Sequence, residues 1–320
     1  MRFVNFDHET SKLDFVRHRK TFFGISLAFL LTGIILLATM GLNLGIDFES
    51  GTTVDVLTEE AVTAEEIENE FQSIGFEPDD VVLAGDNNEI GRASFIGGLD
   101  QQESLQIQSH FEEEYGAVPN VSTVSPIVGQ ELAQNAIISV LIATVGIIIY
   151  VTIRFELLYG IAAIVALFHD ALFIITVFAI LQMEVNIPFI AAVLTIIGYS
   201  INDTIVTFDR IRENMEREEK VETFEKLAQV VNKSLVQTLA RSINTVLTVV
   251  FAAGALLVFG GDGLRVFSLA LVVGLAAGTY SSLFIAAQLW CIMKYRSIKR
   301  KLAKQAEEER KLALQENSTT

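Results

Sequence analysis

The chain has 320 residues, 51% of them hydrophobic, with a formal charge of −16 at neutral pH and a mean hydropathy of +0.45. That is too apolar for an ordinary soluble protein and points to membrane-spanning helices. A single cysteine, Cys291, excludes an intramolecular disulfide, and the negative balance is local: residues 42–131 hold twenty Asp and Glu against one basic residue, Arg92.

Six apolar segments follow one another at Phe22–Gly41, Leu132–Ile153, Leu157–Leu181, Ile187–Phe208, Ser242–Phe259 and Leu264–Met293. Each is long enough to cross about 30 Å of hydrocarbon at about 1.5 Å of rise per residue. The chain has four prolines, and none falls in the middle of a span. Pro188 stands at the start of the fourth, where its missing N–H costs little. The first segment is too long for the core of a secretory signal, and no A-x-A site follows it before Gly41-Leu42-Asn43, so it reads as a retained helix.

Orientation follows from Lys and Arg. They cluster before the first span (Arg17, Arg19, Lys20), at Arg154, from Arg210 to Arg241 and after Lys294, whereas the other loops hold only Arg92 and Arg265. The positive-inside rule then gives a multi-pass protein of the cytoplasmic (inner) cell membrane with both termini cytoplasmic. The expected organisation is a cytoplasmic N-terminus (1–21), a first transmembrane helix (22–41), an acidic extracytoplasmic domain (42–131), a five-helix bundle (132–293) with a cytoplasmic loop (209–241), and a charged cytoplasmic tail (294–320). The tail is rich in Lys, Glu, Ala and Leu and reads as a solvated helix near membrane lipids.

Within 42–131, Thr52–Leu57 alternates as a strand, and Thr63 with Glu66 is a capping box for a helix running to about Ile74. Val81–Ala84 and Ala93–Ile96 flank Gly85-Asp86-Asn87-Asn88 as a hairpin. Asp100 with Glu103 caps a second helix ending near Tyr115, and Val121–Pro126 is a last strand. The order βαββαβ predicts a ferredoxin-like α+β domain. It has no Cys/His cluster, no nucleophile–base pair and no phosphate loop, so the expectation is a binding or mechanical module, not an enzyme, with no cofactor, metal or nucleic-acid partner. His110 reads as a solvated histidine on a polar helix.

The informative residues are the polar ones inside the bilayer, where a charged side chain costs about 2.5–3.5 kcal/mol on insertion scales. Asp203 lies in the fourth span, and Thr195, Tyr199, Asn202 and Asp203 recur at helical spacing as a polar stripe on an apolar helix. Desolvation penalises the charged form of a carboxylate, which suits Asp203 to taking up and releasing a proton; the bland alternative is a structural carboxylate pinned by a neighbouring donor. Arg241 opens the fifth span, beside Ser242, as a snorkelling anchor or as a partner of Asp203. His169 and Asp170 sit mid-way along the third span, either in a proton relay or satisfying each other and a neighbouring helix. Glu184 falls at a loop end. Gly198, Gly274 and Gly278, with Ser281 and Ser282, read as sites of close helix packing.

Three stretches then carry a resemblance. They are Leu42-Asn43-Leu44-Gly45-Ile46-Asp47-Phe48 with Gly51 and Thr52, leading into the acidic domain; Gly198 to Asn214, reading GYSINDTIVTFDRIREN; and Phe259-Gly260-Gly261 through Phe267 to Gly278-Thr279-Tyr280-Ser281-Ser282. Together they resemble the SecD/SecF family of protein-export membrane proteins, on its SecF side, within the RND superfamily. Ser50 departs from the pattern, which has a Gly pair at 50 and 51. The resemblance implies an RND-type half of six spans, with SecD as partner supplying six more, attachment to the SecYEG channel, and use of the proton-motive force to move a translocating preprotein. It also implies roles for Asp203 and Arg241 in conducting protons. The rival readings are an RND-type half-transporter for lipids or small molecules and a non-conducting structural translocon subunit.

Overall fold

The computed structural model describes residues 13–49, 51–58, 61–84, 88–218 and 220–318. Ser50 and the hairpin tip at 85–87 lie outside the described residues. Among those described, six helices are long and apolar enough to cross a membrane: Arg19–Thr39, Ile127–Arg154, Leu157–Leu181, Ile187–Glu216, Phe224–Phe259 and Leu264–Lys311.

Helix α1 (Arg19–Thr39) and the single turn α2 (Ile46–Glu49) lead into a sheet domain. There β1 (Gly51–Leu57), α3 (Ala64–Ser73), β2 (Asp80–Ala84), β3 (Ile90–Ile96), α4 (Gln101–Tyr115) and β4 (Asn120–Val124) follow one another. The strands order as β2-β3-β1-β4 with every neighbour antiparallel, the ferredoxin-like plait. Period-two alternation puts Val54, Val56, Ala93 and Phe95 on one face, where they pack with Ile67 and Phe71 of α3 and Ile107 and Phe111 of α4. Gly91 is required there, because a Cβ would strike the Ile67 side chain. Both helices begin with complete capping boxes, Thr63 with Glu66 and Asp100 with Glu103. His110 is not simply solvated: its Nε2 lies 2.7 Å from Glu70 Oε1 on α3, so it ties the two helices together.

The membrane body comprises α5 (Pro126–Arg154), α6 (Leu157–Leu181), α7 (Ile187–Glu216), α8 (Phe224–Phe259) and α9 (Asp262–Ser281); α9 passes through a π-turn (Ser282–Ala286) into α10 (Ala287–Ser318). Helices α6, α7 and the last span form its buried centre, around Ile174, Phe178, Ile196, Phe208 and Trp290. Helices α1, α5 and α8 turn most of their apolar surface outward, which in a bilayer is covered by acyl chains or another helix body. The region expected as a cytoplasmic loop at 209–241 is largely helix: α7 continues past its apolar stretch to Glu216, as the charges from Asp209 to Glu213 suggest, and α8 begins at Phe224, well before its own. Ion pairs stabilise these extensions: Asp209 with Arg154 and Arg212, both at 3.1 Å, and Glu213 with Arg210 at 2.7 Å.

Candidate functional site

Two carboxylates lie inside the membrane body, and their surroundings differ. Asp170 of α6 is 1% exposed. Its Oδ2 accepts from Ser200 of α7 at 2.5 Å and from Ser281 of α9 at 2.8 Å. Its Oδ1 lies 3.2 Å from Nδ1 of His169, whose Nε2 lies 3.1 Å from Ser26 Oγ of α1. The Phe22 carbonyl can only accept, so Tyr280 donates to it (3.0 Å), Ser26 donates to Tyr280 (3.2 Å), and Ser26 is left to accept from the histidine. One buried network thus joins α1, α6, α7 and α9. Oδ2 of Asp170 accepts two hydroxyls, and because the histidine proton on Nε2 is given to Ser26, the Nδ1–Oδ1 approach is a hydrogen bond only with a second proton held between His169 and Asp170.

Asp203 lies on the other side of α7, in a narrow cleft between α7, α8 and α9. Tyr199 and Asn202 line it from α7, Arg241 and Thr245 from α8, and Gly278 and Thr279 from α9; its volume, ≈ 70 Å³, admits a few water molecules. Ser242 donates to Asp203 Oδ1 at 2.5 Å. Oδ2 is buried and makes no well-formed hydrogen bond among the described residues; the Ser282 hydroxyl is near enough to act on the carboxylate, but it is engaged with Thr204 at 2.8 Å. Arg241 shares the cleft, but among the described residues no ion pair joins it to Asp203; the hydrogen bond comes from the next residue along.

The structure brings Asp203, Tyr199, Asn202 and Arg241 to one cleft and His169 with Asp170 to a second, separate cluster. Thr195 belongs to neither: it is exposed, and its hydroxyl donates to the Ala191 carbonyl of its own helix at 2.8 Å. Ser200 borders both, lining the cleft while its hydroxyl serves Asp170. Gly274 and Gly278 are points of close approach. A Cβ at 274 would strike Ile196 and Ile174, and one at 278 would come within 3.0 Å of Ser200. Gly198 differs from the packing expectation: a Cβ there would meet nothing within 4 Å, since that side of α7 faces outward. Sequence reasoning missed the serines that serve the carboxylates. Ser242 was readable only as a polar neighbour of Arg241, and Ser200 sits at the edge of the stripe, with its hydroxyl turned to the other carboxylate. Among the described residues no group of three or more His, Cys, Asp or Glu converges as a metal site would require.

The motif leading into the sheet domain forms a clamp. Gly45 N–H donates to the Val185 carbonyl (2.9 Å) and Val185 N–H to the Asn43 carbonyl (2.8 Å), a one-residue parallel bridge at Leu44 and Val185. Asp47 Oδ2 accepts from Ile187 N–H at 3.0 Å, at the start of α7. Gly51 has no room for a side chain, because a Cβ would come 2.5 Å from the Phe95 carbonyl, whereas a Cβ at Gly45 would displace the carboxyl end of the Glu184 side chain.

Residues 106–296 match the family described as Protein export membrane protein SecD/SecF, C-terminal, and residues 35–62 match the SecD/SecF GG Motif. The chain is 53% identical over 289 residues to the protein translocase subunit SecDF of Bacillus subtilis, covering 90% of this chain and 39% of that protein. It is 41% identical over 294 residues to the protein translocase subunit SecF of Alicyclobacillus acidocaldarius, covering 90% and 95% respectively. In structure it resembles SecDF from Thermus thermophilus, described as a translocon-associated membrane protein, with a TM-score of 0.81, 33% identity, and 91% of this chain against 40% of that one.

Proposed function

This chain belongs to the SecD/SecF family of protein-export membrane proteins, and on that premise we propose that it is an accessory subunit of the Sec translocase that couples proton movement to preprotein export. The observation that carries the proposal is Asp203: a carboxylate held at one oxygen by Ser242, with the other buried and unpartnered, in a cleft wide enough for water. Leaving a buried polar atom unpaired costs about 1–3 kcal/mol, and a proton or a transient donor at Oδ2 removes that cost. Asp203 is accordingly the proton-carrying group and Arg241 the nearby cation that biases its charge. His169 and Asp170 act at one remove, through Ser200.

The chain spans 39% of the Bacillus subtilis relative and 40% of the Thermus thermophilus structure, both SecDF proteins. The remaining part in those proteins is the reason to assign SecD as partner here, seated on the outward flank of α7 and α8, where Tyr199 is 41% exposed. SecYEG is then the channel served, the sheet domain lies outside the cytoplasmic membrane as the distribution of Lys and Arg requires, and both termini lie inside. One charge crossing 100 mV releases about 2.3 kcal/mol, which changes a two-state equilibrium of helix packing about 50-fold; a full switch from 1:99 to 99:1 takes about 5.5 kcal/mol, or about two to three such charges.

The test is proton-motive-force-dependent export of a secreted reporter in cells where Asp203→Asn replaces the wild-type chain at matched levels, with SecD co-purification from the same cells. Loss of export with SecD retained is the expected result. Undiminished export refutes proton carriage by Asp203 and leaves a scaffold.

A further inference from the structure

Glu184 is the group that neither the cleft nor the buried network uses. It stands in the short connection between α6 and α7, at the clamp where that connection grips the lead-in to the sheet domain. Its carboxyl lies against the Gly45 backbone, in the space a side chain at 45 would take. Backbone bonds flank it on both strands of the clamp, Gly45 to Val185 and Val185 to Asn43. Asn43 Nδ2 adds a bond to the Gln182 carbonyl at 3.1 Å. Three charged groups lie near enough to act on it through space: Arg92 from β3, Asp47 from α2 and Asp80 from β2. Arg92 is itself held by Asp55 of β1 through two bonds of 2.7 and 2.9 Å. One side chain therefore touches the membrane helices' connection, the lead-in segment and the charge field of the sheet.

We propose that Glu184 is a positioning residue whose protonation state sets how firmly the sheet domain is held on the membrane helices: neutral, it closes the clamp; ionised, it loosens it. Burial against Gly45 pushes the carboxyl above the ordinary carboxylate range; Arg92 opposes this, and the like charges of Asp47 and Asp80 add to it. The sign follows from linkage. A carboxyl whose proton affinity is higher in the closed clamp than in the open one favours the closed form as pH falls and the open form as pH rises. The inference rests on the reading that the sheet domain lies on the proton-rich side and moves during export. It adds a second proton-responsive point, at the membrane surface instead of within the bilayer.

The test is double electron–electron resonance on the full chain in lipid nanodiscs, with and without bound SecD. Spin labels are placed at Gln102→Cys on α4 and Leu264→Cys on α9, both exposed positions, while buried Cys291 stays unlabelled. From pH 5 to 8 the distance distribution should broaden reversibly, with a midpoint above the ordinary carboxylate range. Glu184→Gln should hold the narrow distribution at every pH. Asp80→Asn, a change at an exposed strand residue, should move the midpoint to lower pH, because it removes one of the two like charges. A pH-independent wild-type distribution overturns the proposal, as does a Glu184→Gln profile that still titrates. A response that survives Glu184→Gln but vanishes in Asp203→Asn assigns it to the cleft, so the two readings fail separately.

Discussion

Replacing Asp170 by Ala should destabilise the membrane body more than any other single polar-to-Ala change in it. The substitution removes the acceptor of Ser200 at 2.5 Å, Ser281 at 2.8 Å and His169 at 3.2 Å, all within a site that is 1% exposed. On the scale of soluble proteins, each buried donor left unsatisfied costs about 1–3 kcal/mol; Ser281 also reaches the Gly278 carbonyl at 3.1 Å, so two donors bear that cost, roughly 2–6. Hydrogen bonds between membrane helices measure less, about 0.6 kcal/mol on average and about 1.7 at most, so three are worth roughly 2–5. The overlap of the two scales, about 2–5 kcal/mol, is the expected loss. Reversible unfolding of the purified chain in mixed micelles, followed by the fluorescence of Trp290, reads this directly, because Trp290 is fully buried in the same body. Ser26→Ala, which removes the two peripheral links to Tyr280 and His169, should cost less, about 1 kcal/mol at the average value of a hydrogen bond between membrane helices. A loss under about 1 kcal/mol for Asp170→Ala would refute the structural role, leaving an Asp170 whose donors readily find water.

Two further outcomes follow from local geometry. Gly274→Val should cost about 1–3 kcal/mol by overpacking against Ile196 and Ile174, whereas Gly198→Val should be near neutral in the isolated chain, both read by the same unfolding assay. In the sheet domain, the Glu66 carboxyl is held below its ordinary value by its bonds to the Thr63 backbone and hydroxyl. Its contribution is therefore present above the unfolded carboxylate range and lost as pH falls through the depressed folded value. Amide exchange across α3 in wild type and Glu66→Gln should differ near neutral pH and converge in acid; equal protection at pH 7 would refute a contribution from the Glu66 charge, because Gln can fill the same capping box.

Much of the fold was legible because hydropathy and capping act locally. The run lengths of the spans, the Thr63/Glu66 and Asp100/Glu103 boxes and the alternation of β1 and β3 each follow from a few adjacent residues. Asp203 was legible for the same reason, as a charge where none is expected. What was not legible depends on which helices meet. His110 looks solvated until α3 brings Glu70 to it, Gly198 looks like a packing glycine until its side of α7 turns outward, and Glu184 looks like a loop end until residues 43–47 fold back over it. Serines were hardest. A serine in a membrane helix returns its hydroxyl to its own backbone at little cost, as Thr195 does with its hydroxyl, so only the position of another helix's carboxylate gives Ser200, Ser242 and Ser281 a role.

The contrast between the two intramembrane carboxylates is an argument about division of labour. A carboxylate whose Oδ2 is met by two fixed hydroxyls and whose Oδ1 lies against His169 is pinned in place, and moving it disturbs four helices at once. A carboxylate with one oxygen met and one stranded can exchange partners at small cost, and the cleft beside it lets water approach. Ser200 and Gly278 lie between them, the glycine allowing α9 close enough for Ser281 to reach Asp170. A change at Asp203 that shifted α9 along α7 would therefore be felt at Asp170 through those two residues before anything else moved. The double variant Asp203→Asn with Ser200→Ala separates a coupled from an independent pair. If the cleft and the network are coupled, the stability costs of the two substitutions depart from additivity by at least about 0.5 kcal/mol. Additive costs in the micelle assay would make Asp170 a fixed support with no part in the motion.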